Sequence, residues 1–161
     1  MRFYTALINK QPEVLVGFEQ GGTAYRLPLL ARLAPELAFS DMNALILGYD
    51  DKVKATLARL AANADTLQGA AVAVDEVQLL APIVRPLQDV VCLGINYDAH
   101  AQEAGRFSDE AFGGERPYTI YFSKRVNRAT ATGEKVPAYA GLVDSLDYEA
   151  ELGVVLGKDA K

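Results

Sequence analysis

Alternation of apolar and polar residues dominates the first thirty positions and predicts antiparallel strands. Residues 3–8 (Phe-Tyr-Thr-Ala-Leu-Ile) form the first, a polar turn at 9–12 follows, and residues 14–18 form the second. Gly21-Gly22 supplies a tight turn into a third strand over 23–27. The period then lengthens. Ser40-Asp41 offers an N-cap for a short segment at 42–47 that Gly48 stops. Asp50-Asp51 caps the clearest helix, in which Val53, Leu57, Leu60 and Ala61 recur at helical spacing. A strand-like stretch at 77–80 and the prolines Pro82 and Pro86 lead out of this unit, so residues 1–85 are read as a small N-terminal α+β domain.

Beyond that boundary the texture changes. Residues 90–95 are an unbroken apolar run, the pattern of a strand covered on both faces. Residues 96–105 read as a turn into a short helix ending at Gly105, and 106–117 as a loop. Residues 118–124 alternate as a strand, 125–146 form a loop, and 147–156 read as another strand. There is no internal repeat and no low-complexity tract. The expected class is therefore α+β and β-rich, with residues 86–161 as a second domain.

Composition narrows the function classes. Half the residues are apolar and 23% are charged, ordinary for a folded globular chain. No apolar run approaches the roughly eighteen residues of a transmembrane helix, and the N-terminus lacks a signal peptide's layout. One cysteine, Cys92, forms no internal disulfide, which fits a reducing cytoplasm. The net charge of −5 with scattered basic residues argues against nucleic acid or an anionic membrane as partner. A small anionic substrate remains compatible, because a few local cations suffice for it.

Three constellations carry candidate chemistry. Glu149 and Glu151 lie two apart in the last predicted strand, so their carboxylates project to one face. A shared hard cation relieves the repulsion of such a pair, and Mg²⁺ or Mn²⁺ takes oxygen ligands. The same spacing equally describes a solvent-facing pair on an edge strand. His100, the only histidine, precedes Glu103 by three residues, on one face of the predicted helix. A carboxylate beside an imidazole raises its pKa and orients it, or the two position a water; a surface His–Glu pair is the plain alternative. One histidine and one cysteine do not make a zinc site. Lys124 ends a strand, where a cation can receive a carboxylate or simply be solvated. Two lookalikes fail. Residues 153–158 have their glycines too close for a phosphate-binding loop, with Asp159 where Ser or Thr should stand. Gly94 lacks the further glycines of a dinucleotide fingerprint.

Together these segments resemble one family. Residues 91–103, containing Gly94, Asn96, Tyr97, His100 and Glu103, resemble the "hGxNYxxHxxE" segment of the fumarylacetoacetate hydrolase (FAH) family. Pro117 through Lys124 resembles its "P-x-x-F-x-K" strand, and residues 147–158 its "DYEAELxVVxGK" metal-binding strand. The preceding eighty or so residues are similar, loosely, to the N-terminal domain of the longer bacterial members, such as 2-hydroxyhepta-2,4-diene-1,7-dioate isomerase and 5-carboxymethyl-2-hydroxymuconate delta-isomerase of aromatic compound catabolism.

The resemblance implies a mixed β-sandwich roll holding Mg²⁺ or Mn²⁺ through Glu149 and Glu151. His100 and Glu103 would form the dyad that activates a water or moves a proton, with Lys124, Asn96 and Tyr97 lining the substrate pocket. The substrate would be a small 2-oxo acid or its enol, handled through an enolate by an isomerase, a decarboxylase or a C–C hydrolase. Members are commonly homodimers, and the cytoplasm is the expected location. In the family a third metal carboxylate and a pocket lysine come later, so the chain is expected to represent the front part of such an enzyme and to bind metal weakly by itself. The alternatives are a catalytically silent fragment or subunit that needs a complementary chain, and a generic α+β binding domain.

Overall fold

Side chains on a strand alternate between faces, and the N-terminal sequence uses both. The computed structural model describes residues 1–19, 21–94 and 118–159. The chain divides into two compact units, Met1–Val84 with Ala129–Lys161, and Arg85–Arg128. The molecule is α+β, and the ladders between its described strands are antiparallel.

In the first unit, β1 (Arg2–Ile8), β2 (Gln11–Gly17), β3 (Thr23–Arg26), β4 (Ala71–Ala73) and β5 (Gln78–Leu79) form one sheet in the order β4-β3-β2-β1-β5. The β1–β2 turn has only two residues, Asn9 and Lys10, with φ of 49° and 64°. That left-handed pair matches the twist of the flanking strands and suits asparagine. It is shorter than the turn the sequence suggests, because Gln11 and Pro12 join the ladder opposite Ile8 and Leu7. The pair closing a two-residue turn is the hydrogen-bonded one, so Leu7–Pro12 is not, and the missing N–H of Pro12 removes no bond to β1.

Val14, Val16 and Tyr25 face a core built with Leu27, Leu30, Leu37, Leu45, Leu57 and Leu60. Leu15, between the two valines, is buried on the opposite face with Ala6 and Ala24, packed by Tyr4, Ile8 and Val72. The helices over the first face are α1 (Leu27–Leu30), α2 (Met42–Gly48) and α3 (Asp51–Ala61). Asp41 accepts from the Ala44 N–H at 2.9 Å and Asp50 from the Val53 N–H at 2.8 Å, so each satisfies an orphan donor at a helix start. Between α3 and β4 the chain runs as a 3₁₀ segment, Ala64–Ala70.

In the second unit, β6 (Val90–Gly94) pairs with β7 (Ile120–Lys124) as a two-stranded ribbon. The sequence predicts a strand covered on both faces here, but Val91 is 69% exposed and only Cys92 of β6 is buried. The other apolar residues of β6, Val90, Val91 and Leu93, are exposed. The predicted helix at 96–105 and loop at 106–117 lie outside the described residues.

Residues 147–156, which alternate like a strand, make no ladder among the described residues. A strand is completed by a neighbour's N–H and C=O groups, and its own pattern cannot supply them. Leu152 and Val154 are accordingly 83% and 78% exposed. The chain before them is tied to the first unit. Ala129 donates to the Val84 carbonyl at 2.9 Å, and buried Ala131 donates to Glu134 Oε2 at 2.9 Å.

Candidate functional site

Of the seven residues singled out by sequence, Asn96, Tyr97, His100 and Glu103 lie outside the described residues. The remaining three are Lys124, Glu149 and Glu151.

Glu149 and Glu151 are both exposed, in the irregular stretch that follows Asp147. The Asp147 carboxylate accepts from the Tyr148 N–H at 2.8 Å, an exposed local bond just before the pair. What brings the two glutamates together is their separation by a single residue, not packing, and a solvated carboxylate pair suffers little repulsion. Among the described residues no three His, Cys, Asp or Glu side chains gather into a metal-holding group. The donors that are present, carboxylate oxygens two residues apart, have the hard-oxygen chemistry that Mg²⁺ or Mn²⁺ prefers. In kind, these donors fit such an ion.

Lys124 ends β7 in the second unit and is exposed. Its ammonium stands 5.7 Å from the centroid of the Phe122 ring, at the distance of a cation–π contact. Phe122 and Lys124 share one face of β7 because they are two apart, which puts the exposed ammonium within reach of the ring. Beside them Arg125 Nε lies 3.6 Å from Asp89 Oδ1, an exposed pair linking the end of β7 to the start of β6. The end of this ribbon thus carries two cations, and Lys124 is the one held by an aromatic ring. The described structure adds no further cluster of reactive side chains to those the sequence offers.

All seven candidate residues fall inside one matched span. The family model for Fumarylacetoacetate (FAA) hydrolase C-terminal matches residues 89–161, so this stretch is similar to that domain class. The chain is similar to oxaloacetate tautomerase YisK of Bacillus subtilis, 40% identical over 83 residues that make up 52% of this chain and 26% of the relative. It is also similar to uncharacterized proteins of Staphylococcus saprophyticus, 32% identical over 80 residues (50% of this chain, 24% of the relative), and Staphylococcus haemolyticus, 30% identical over 90 residues (56% and 27%). The match to each of these curated relatives spans about a quarter of the relative's length. No described helix is long and apolar enough to cross a membrane.

Proposed function

We propose that this chain belongs to the FAH family and contributes to a divalent-metal-dependent enzyme that shifts a proton on a small 2-oxo acid. The observation that carries the reading is the Glu149-x-Glu151 pair inside a span that matches the family's domain. A relative named as an oxaloacetate tautomerase supports a keto–enol isomerisation over decarboxylation or C–C hydrolysis, which use the same enolate. On this reading the chemistry belongs to residues 86–161, which contain the matched span and draw on both compact units, and residues 1–85 are the N-terminal domain.

Glu149 and Glu151 would hold Mg²⁺ or Mn²⁺. Such an ion would supply Lewis-acid chemistry, polarising a carbonyl and favouring developing negative charge. His100 and Glu103 take the proton from the carbon next to the carbonyl and return it to oxygen, the imidazole acting as base and the carboxylate orienting it. Lys124 receives a substrate carboxylate, and Asn96 and Tyr97 line the pocket. The working form is a cytoplasmic homodimer, with neither nucleic acid nor membrane as partner.

The test is exchange of the C3 protons of oxaloacetate with D₂O, followed by NMR against a baseline of Mg²⁺ in buffer. A small rate above baseline is expected, lost with EDTA and in the Glu149→Ala/Glu151→Ala variant. Exchange that survives both treatments overturns the assignment. A second reading has its own support, the exposure of Val91, Leu152 and Val154. In it the chain is silent until a complementary chain covers those residues, and exchange then stays at baseline until that chain is added.

A further inference from the structure

We draw no further inference here: the strongest candidate, the exposed apolar surface of the two-stranded ribbon β6–β7 around Val91 and Tyr121, carries nothing because nothing in the structure shows what covers it.

Discussion

Arg26 and Glu13 form a bidentate ion pair in the first unit. Leu15 stands opposite Arg26 in the β2–β3 register, so Glu13, two residues from Leu15, is the diagonal neighbour on the same face. The guanidinium meets both carboxylate oxygens, Nε at 2.9 Å and Nη2 at 2.7 Å, with the side chains 24% and 16% exposed. The hydrogen bond to Glu13 is the main cause that raises the Arg26 pKa above its usual value, against a smaller opposing effect of burial. Partial shielding and bidentate geometry lift such a pair above the usual surface value, so Glu13→Gln should cost about 1 kcal/mol, read from the urea midpoint. An unchanged midpoint would mean that solvent screens the pair completely. At Glu36 the effect is one of pH. Its backbone N–H and then the Thr56 hydroxyl, which donates to Oε1 at 2.7 Å, hold the carboxyl below its usual range, with Lys52 and Arg59 adding to the shift and burial opposing it. A carboxyl depressed in the folded state contributes stability above its unfolded pKa, and that contribution is lost as pH falls through the folded value. Glu36→Gln should therefore flatten the acid limb of the thermal stability profile, with variant and parent converging at the acid end; parallel profiles would refute it.

At the scale of elements, what the sequence made legible was what is local. The β1–β2 hairpin and α3 each carry their own period and end signals within a short stretch of chain; α3 occurs where the pattern puts it, and the hairpin does so with a turn two residues shorter than the sequence suggests. Capping makes this quantitative: Asp50→Ala removes the acceptor at the start of α3 and should cost about 1 kcal/mol. Loss of helix signal together with a lower melting temperature would register it, and an unchanged melting temperature would show that packing of Leu57 alone fixes the helix start. α1 escaped notice because four residues, Leu27–Leu30, are too few to display a period. β4 is three residues and finds its place only against β3, a partner nearly fifty positions away. Residues 147–156 fail in the opposite direction, having the alternation of a strand without a described neighbour to complete it.

For the whole molecule, the N-terminal unit is a sheet with apolar packing on both faces and helices over one, stabilised from within. The chemistry was legible as residue types and spacing rather than as geometry. Glu149, Glu151 and Lys124 are candidates from sequence because their neighbours resemble family motifs, and all three are exposed. A metal site is a non-local object, and spacing along one strand names donors without saying what else converges on them. Two carboxylates are a small share of the six or more oxygens a hard divalent ion takes, so affinity should be modest. Isothermal titration of Mn²⁺ into the 161-residue chain and its Glu149→Ala/Glu151→Ala variant tests this most directly. The account predicts weak binding in the parent, with a dissociation constant of about 10⁻⁴–10⁻³ M or weaker, and none in the variant, because low ligand charge count and low rigidity put a hard-cation site at the weak end of its range. Micromolar binding at a single site in the parent, or binding that persists in the variant, would contradict it.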